Sequence, residues 1–159
     1  MAGRKGNDYA VIAAPIGRLG VTIRDGRLVD IAFLGARVRP RAPATGRGRR
    51  VCNRINAYFS NPRITFDLPL DLGGTPYQRR VWRALRRIPP GAALSYGALA
   101  RRLRSSPRAV GGACRANPVP IVVPCHRVVA ATGIGGFMGR RAGPALRRKQ
   151  WLLEHERTR

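Results

Sequence analysis

Residues 95–116, SYGALARRLRSSPRAVGGACRA, decide the fold predicted for this chain. Ser95 is a residue type that caps helices, and Leu99 and Leu103 follow it at helical spacing. Ser106-Pro107 then supplies a second cap with proline at the first helical position. We therefore predict two short helices joined by a tight turn, as in a helix-turn-helix. Many helical hairpins bind nothing, so periodicity alone leaves the role of this pair open.

The second of these helices, residues 107–116, consists almost wholly of small residues. Two adjacent glycines, Gly111 and Gly112, each cost a helix about 1 kcal/mol relative to alanine. Close approach of the backbone to another surface would compensate for that cost. This surface is either a neighbouring helix or a DNA groove, and the stretch by itself favours neither.

Outward from this pair, the chain separates into two predicted domains of an α/β (α+β) protein. Residues 1–72 are expected to form a small strand-rich α/β domain, and residues 73–159 a mostly helical one. In the first domain, the Asp25-Gly26 pair predicts a hairpin turn between two strands. Its other expected elements are strands at Tyr9–Ala14, Gly20–Ile23, Leu28–Leu34 and 64–68, an exposed loop at Arg37–Arg50, a helix over 51–59 and a linker at 70–75. In the second, a helix with core side Tyr77, Val81, Leu85 and Ile88 ends at Pro89-Pro90-Gly91.

The net charge of the chain limits the class of partner that it can bind. The 159 residues hold 31 Lys and Arg against 7 Asp and Glu, a formal net charge of +24. Residues 1–72 account for +8 and residues 73–159 for +16. A genome rich in G and C explains a preference for arginine over lysine, but it does not explain the shortage of acids. A polyanion, nucleic acid above all, is therefore the expected partner. We expect Arg37–Arg50 to contribute little to DNA binding directly.

The sequence also indicates a compartment. The apolar runs are too short to span a bilayer, so no membrane partner is expected. Residues 1–8 lack the apolar block of a signal peptide. Three cysteines, an odd number, cannot all pair within the chain, which argues against a disulfide framework and fits a reducing compartment. We expect a monomer in the cytoplasm, or in the nucleus if the source is eukaryotic, with neither metal nor cofactor.

One cysteine lies in a reactive context. Within Val119–Val129, VPIVVPCHRVV, Cys125 stands between Pro124 and His126-Arg127. A thiolate is the nucleophile, and an adjacent base or cation favours it. In an extended chain Cys125 and His126 point to opposite faces, so contact needs a turn at Pro124 or a bridging water. The alternative is that Cys125 is an ordinary buried apolar residue.

Several motifs together resemble the O6-alkylguanine-DNA alkyltransferases, the methylated-DNA–protein-cysteine methyltransferases. The resemblance covers about residues 73–159, and the first seventy residues match only in outline. The motifs are NPVPIVVPCHRVV at 117–129, GTPYQ at 74–78, SYGALA at 95–100, RAVGGA at 108–113 and WLLEHE at 151–156.

The resemblance implies an activity and a set of catalytic residues. It implies direct, irreversible transfer of the alkyl group from O6-alkylguanine, and from O4-alkylthymine, in double-stranded DNA to Cys125. His126 would act as the base through water, oriented by Glu156. Tyr96 would assist base rotation and protonate the departing guanine. Because a thioether has no easy leaving route, each molecule would act once.

The resemblance also implies DNA-binding and pocket residues. Arg108 would enter the base stack in place of the flipped nucleotide, and Asn117 would tie the recognition helix to the active-site segment. The remaining expected DNA-binding residues are Ser95, Arg101 and Arg115, and the expected pocket residues are Cys114, Pro120, Arg127 and Val128. The carbonyls of Cys125 and Val128 would accept from the guanine amine. Residues 136–141, GFMGRR, depart from the family pattern, so no pocket role is assigned to 135–143.

Two other classes of protein are compatible with parts of the sequence. A non-catalytic, alkyltransferase-like damage-binding protein would share the helices, but such proteins carry another residue at the cysteine position. A cysteine hydrolase using Cys125 and His126 would leave the +16 of residues 73–159 unexplained.

Overall fold

The computed structural model describes residues 7–157 and divides the chain into two compact units, up to Leu72 and from Gly73. Most of the amino-terminal stretch that we expect not to be a signal peptide lies outside the described residues. None of the helices in 7–157 has the length and apolar composition needed to cross a bilayer.

The first unit is built on a three-stranded antiparallel sheet in the order β1-β2-β3. Its strands are β1 (Asp8–Ala14), β2 (Gly17–Arg24) and β3 (Arg27–Leu34). Asp25 and Gly26 have φ values of 52° and 77°, so the β2–β3 connection is the predicted turn with two left-handed residues. Helix α1 (Gly46–Ser60) packs against β1 and buries a single stripe of side chains, Val51, Cys52, Ile55 and Tyr58.

Two expectations for this unit are wrong. Helix α1 begins at Gly46, five residues before the expected start at 51, so the last part of the expected loop is helical. The Thr45 side chain caps it by accepting from Gly48 N, and Asp8 holds the cap by accepting from the Thr45 N and Oγ1 atoms. No strand forms over the described residues 64–68. Instead the Arg54 guanidinium donates to the Thr65 carbonyl, and pairing with the sheet is confined to a bridge from Leu70 to Leu28.

The second unit is mostly helical. Its elements are α2 (Pro76–Arg86), β4 (Leu94–Ser95), α3 (Tyr96–Leu103), α4 (Pro107–Arg115), β5 (Val128–Val129) and α5 (Pro144–Arg157). Thr75 and Gln78 cap α2 reciprocally. Strands β4 and β5 form a short parallel pair that joins Leu94 to Val128. The mixed α/β class predicted from the sequence is confirmed.

Helices α3 and α4 form the predicted pair joined by a tight turn. The Ser95 side chain accepts from Ala98 N, and the Ser106 side chain accepts from Ala109 N. Between them Arg104 adopts a left-handed conformation, with φ 52°, which reverses the chain within three residues. The two helices pack on each other, as a helix-turn-helix requires.

The segment that follows α4 is buried along its whole length from Val119 to Val128. A tight turn closes at its start, where Val123 N donates to Val119 O. Inside that turn Ile121 has φ 77°, a conformation that is costly for a β-branched residue. Its complete burial, with 0% of its surface exposed, holds it there. The segment ends in a 3₁₀ turn over Cys125–Arg127 and in β5.

Candidate active site

Cys125 opens the 3₁₀ turn and is 4% exposed. The turn follows Pro124, which is where the sequence required one if Cys125 and His126 were to lie together. Burial raises the pKa of the Cys125 thiol to about 11, against a hydrogen bond from Asn117 and the nearby charge of Lys149, which both lower it. The thiol is therefore protonated at neutral pH and needs a base to become a nucleophile.

His126 lies directly beside Cys125 and is completely buried. Its Nε2 atom is 2.6 Å from Oε1 of Glu156, which α5 brings to the site. Its Nδ1 atom has no hydrogen-bond partner among residues 7–157. Burial lowers the pKa of His126 more strongly than Glu156 raises it, so the imidazole is neutral and can accept a proton.

The carboxylate of Glu156 binds both His126 and Arg127. Arg127 donates to it from Nε at 3.0 Å and from Nη2 at 2.8 Å. Burial alone would raise the pKa of Glu156, but the hydrogen bonds from His126 and Arg127 outweigh it and lower the pKa to about 2. Glu156 is therefore a permanent anion beneath the histidine.

Arg127, which we expected to line the pocket, is bound to Glu156, and its role in the pocket stays a prediction. Its guanidinium is buried, and its Nη1 atom donates to the Ile88 carbonyl at 2.6 Å. It thus joins the end of the α2 region to Glu156 on α5. A buried charge requires hydrogen-bond partners for its donors, and these contacts supply them. The guanidinium therefore links two parts of the unit.

Asn117 fixes the segment between α4 and Cys125. Its side-chain oxygen accepts from Val119 N at 3.0 Å, and its Nδ2 atom donates to Val123 O at 2.8 Å. The same amide hydrogen-bonds Cys125. Asn117 therefore holds the turn around Ile121 and the thiol in one arrangement.

Lys149 is a site residue that sequence reasoning missed. It lies on α5 with 0% of its surface exposed, and its Nζ atom donates to Val128 O at 2.7 Å and to Gly136 O at 2.8 Å. Burial lowers the pKa of Lys149 to about 8, while the thiols of Cys125 and Cys114 act to raise it. The available signal was its rarity, since the chain has only two lysines against 29 arginines.

Tyr96 and Cys114 complete the surroundings of the thiol. Tyr96 begins α3, and its ring faces Lys149 Nζ at 5.9 Å. Burial and then the charges of Cys114 and Cys125 raise the pKa of Tyr96 to about 12, so its hydroxyl is a proton donor. Cys114 is buried on α4, and burial raises its pKa to about 12. Pro120 and Val128 are buried in the same unit.

The arginines expected to bind DNA lie on the surface of the helix-turn-helix. Arg108 is exposed at the second position of α4, Arg101 is exposed on α3, and Arg115 is exposed at the end of α4. Arg115 also lies against Gly139, where an added Cβ would approach its side chain to 3.3 Å. Ser95 is engaged as the cap of α3.

The two glycines of α4 do not serve packing within the described protein. A Cβ added at Gly111 or Gly112 would meet nothing within 4 Å. Tight helix–helix packing, one of the two explanations left open by the sequence, therefore does not account for them. The bare backbone of α4 faces open space, beside the exposed Arg108.

The arrangement supports nucleophilic chemistry at sulfur. A buried thiol, a neutral imidazole held by an anionic carboxylate and a protonated tyrosine lie in one unit. Among residues 7–157 no group of three or more His, Cys, Asp or Glu side chains is placed to hold a metal ion.

Comparison with known proteins gives a consistent result. Residues 76–158 match the family described as 6-O-methylguanine DNA methyltransferase, DNA binding domain. The chain is 39% identical to a methylated-DNA–protein-cysteine methyltransferase of Mycolicibacterium paratuberculosis, over 94% of this chain and 92% of that protein. The crystal structure of Mycobacterium tuberculosis O6-methylguanine methyltransferase is 37% identical, with a TM-score of 0.79 over 94% of this chain and 92% of that one. A Mycobacterium tuberculosis structure in complex with DNA is 37% identical, with a TM-score of 0.78 over 93% and 92% of the two chains.

Proposed function

The chain belongs to the O6-methylguanine-DNA methyltransferase family, and on that premise we propose that it repairs DNA by moving the alkyl group of O6-alkylguanine to Cys125. The observation that supports the assignment to Cys125 is the 3₁₀ turn over Cys125–Arg127, in which a buried thiol is followed directly by a buried histidine anchored on Glu156. The same site would accept the alkyl group of O4-alkylthymine. The partner is double-stranded DNA, as for the relative solved with DNA.

The proposed reaction is a single displacement at the alkyl carbon. The Cys125 proton passes through a water molecule to Nδ1 of His126, whose Nε2–H is held by Glu156. The sulfur then forms a C–S bond as the bond between the alkyl carbon and O6 breaks, and the electron pair of that bond stays with the purine. Tyr96 donates its proton to the departing guanine, which leaves as an ordinary base. The product is a thioether, so each molecule acts once and needs no cofactor.

Three further residues position this machinery. Asn117 holds Cys125 and the preceding turn, and Arg127 keeps Glu156 ionised and in place. Lys149 fixes the Val128 carbonyl, one of the groups expected to accept from the guanine amine. A carbonyl has two lone pairs, so the bond from Lys149 leaves one for the base.

DNA would be engaged through α4. Its open glycine face permits the backbone to approach a groove closely, and the exposed Arg108 can fill the gap left by the extruded nucleotide. Arg101 and Arg115 would contact phosphates. Residues 73–159 would thus form the DNA-binding and alkyl-acceptor domain and residues 1–72 a separate α/β domain. We further propose that the protein acts as a monomer in the cytoplasm.

The decisive experiment compares two cysteines. The full chain is incubated with a duplex that carries O6-methylguanine, and the methylated residue is located by mass spectrometry. We expect one methyl group per molecule, on Cys125. Cys125→Ala should abolish transfer and leave duplex affinity largely unchanged, whereas Cys52→Ala, in the other unit, should retain transfer. Methyl groups on Cys52 or Cys114 would show that the nucleophile is misassigned, and turnover well beyond one would contradict the single-use reaction.

A further inference from the structure

The outer face of α1 carries a regular stripe of side chains that the proposed reaction does not use. The residues of this stripe recur at helical spacing and line one open groove: Gly46, Arg49, Arg50, Asn53, Arg54 and Ala57. The apolar stripe of the helix, which includes Val51 and Ile55, is buried against the rest of the unit. The two stripes alternate along the helix, so burial of one presents the other to solvent.

The charge of the outer stripe is not neutralised within the described protein. Helix α1 has arginines at 47, 49, 50 and 54 and no acidic residue. None of these four forms an ion pair with another residue of 7–157. The carboxylate at the start of the helix, Asp8, is occupied by the backbone N–H groups of Ala44 and Thr45. The stripe therefore presents unpaired cations to solvent.

Two of the arginines are held in place rather than free. Arg54 donates to the Thr65 carbonyl from both Nε, at 2.8 Å, and Nη2, at 2.5 Å. The Nη1 atom of Arg49 lies 3.5 Å from the Ala44 carbonyl. A hydrogen bond to a carbonyl leaves the positive charge of the guanidinium intact. Because the bond already restricts the side chain, less side-chain entropy is lost when an anion binds.

The chemistry of the stripe limits what can occupy it. A second copy of this chain is a poor partner, because it brings only seven acidic residues against thirty-one basic ones. A nucleic acid backbone fits in charge, because its phosphates supply the negative charge that the stripe lacks. Arg49 and Arg54 are five residues apart, about 7.5 Å along a helix, so more than one phosphate can be contacted. Asn53, between them, is a neutral donor of the type that binds phosphate or sugar oxygens.

We propose that this arginine stripe of α1 binds the phosphodiester backbone of a second duplex DNA segment, in addition to the duplex engaged by the helix-turn-helix. This revises the expectation that Arg37–Arg50 adds little to DNA binding. That expectation treated the segment as a loop, whereas residues 46–50 are the ordered first turn of α1. The protein would then bridge two duplex segments.

A bridging assay on the full chain tests this. An unmodified duplex is fixed to beads, protein is added, and capture of a second, fluorescent duplex is measured across a salt series. The test variant is Arg49→Ala with Arg50→Ala. The matched control is Arg24→Ala with Arg27→Ala, which removes the same charge at the exposed β2–β3 turn. A third variant, Arg49→Lys with Arg50→Lys, keeps the charge.

We expect the test variant to lose at least five-fold in capture, with the salt slope for the second duplex falling by about 1.8 for two lost phosphate contacts. The control should keep most of the capture, and the lysine variant should lie between them. Equal losses in test and control, or no loss in either, would overturn the proposal. Methyl transfer from the free base to Cys125 is measured in parallel. Its absence would refute the proposed function and leave the bridging result readable.

Discussion

Lys149 shows how a single buried cation can serve a reaction without touching the bond that breaks. Its ammonium group joins the Val128 carbonyl, next to the catalytic turn, to the Gly136 carbonyl in the loop that departs from the family pattern. Its charge also favours the thiolate of Cys125 over the thiol. The first effect fixes a carbonyl beside the proposed binding site of the base, and the second acts on the proposed nucleophile through charge.

Replacing Lys149 with methionine separates these effects. The buried Val128 carbonyl would lose its donor, at a cost of about 1–3 kcal/mol of stability, and the part-buried Gly136 carbonyl would lose one as well. Loss of the cation also raises the pKa of Cys125, so the increase of the transfer rate with pH should move to higher pH. The rate is measured from pH 6 to 10 on a methylated duplex, with exposed Arg147→Met as the control. An unchanged pH profile with lower stability would show that Lys149 is only a structural residue.

Arg108 is the second residue whose role can be isolated. Because extrusion is needed only when the base is stacked in a duplex, Arg108→Ala should slow repair of duplex DNA at least ten-fold more than transfer from free O6-methylguanine. The comparison of the two second-order rates for one variant is the measurement, and Arg102→Ala provides a control at an exposed arginine of α3. Equal losses on both substrates would place Arg108 in the pocket or in the folding of α4.

At the scale of elements, α4 combines poor helix formers with an open face. If Gly112 lets the α4 backbone approach a DNA groove, Gly112→Ala should raise the stability of the protein and lower its affinity for duplex DNA. The added methyl group meets nothing in the free protein, so the unfolding free energy should rise by about 1 kcal/mol. The same methyl group would hold the helix away from the groove, so duplex affinity should fall. Denaturant unfolding and binding titrations of the one variant check both, and unchanged affinity would remove the groove explanation.

The elements that sequence predicted well are those specified by neighbouring residues. Asp25-Gly26 fixes a turn through its own backbone, and Ser95 and Ser106 cap helices through bonds three residues away. The start of α1 was missed because residues 46–50 are only glycine and arginine and show no apolar period. Thr45 is a local cap, since its side chain accepts from Gly48 N, and Asp8, 37 residues away, holds that cap in place.

The residues of the candidate site also differ in whether a local sequence motif reveals them. Cys125 and His126 are adjacent in the chain, so their chemistry was visible in one motif. Glu156 was identified only through the family resemblance, because it lies 30 residues from His126. The structural roles of Arg127 and Lys149 depend on carbonyls brought together by folding, at Ile88, Val128 and Gly136. The strand predicted from alternating apolar residues at 64–68 is wrong, because such a pattern forms a strand only where a partner strand is present.

At the scale of the whole molecule, stability should fall on the acid side of neutrality. Burial lowers the pKa of His126, so the unfolded chain binds a proton below about pH 6.5 that the folded one refuses. The pKa of Glu156 is lowered to about 2 by His126 and Arg127, against burial. Its contribution to stability is complete above the unfolded value and is lost as pH falls from about 4.5 toward 2. Both groups therefore make the folded protein less stable as pH falls, and both belong to the candidate active site.

Alkaline conditions should weaken the fold through different groups. Burial raises the pKa of Cys52 and Cys125 to about 11 and that of Cys114 to about 12, so the unfolded thiols ionise first and stability falls above about pH 9. Lys149, with its pKa lowered to about 8, opposes this, but it is one group against three. Urea unfolding under reducing conditions from pH 3 to 11 should therefore give a maximum between about pH 7 and 9. Glu156→Gln should flatten the limb below pH 4.5, whereas exposed Glu154→Gln should not. If the two variants gave the same acid limb, the buried network around Glu156 would not be what makes the folded protein sensitive to acid.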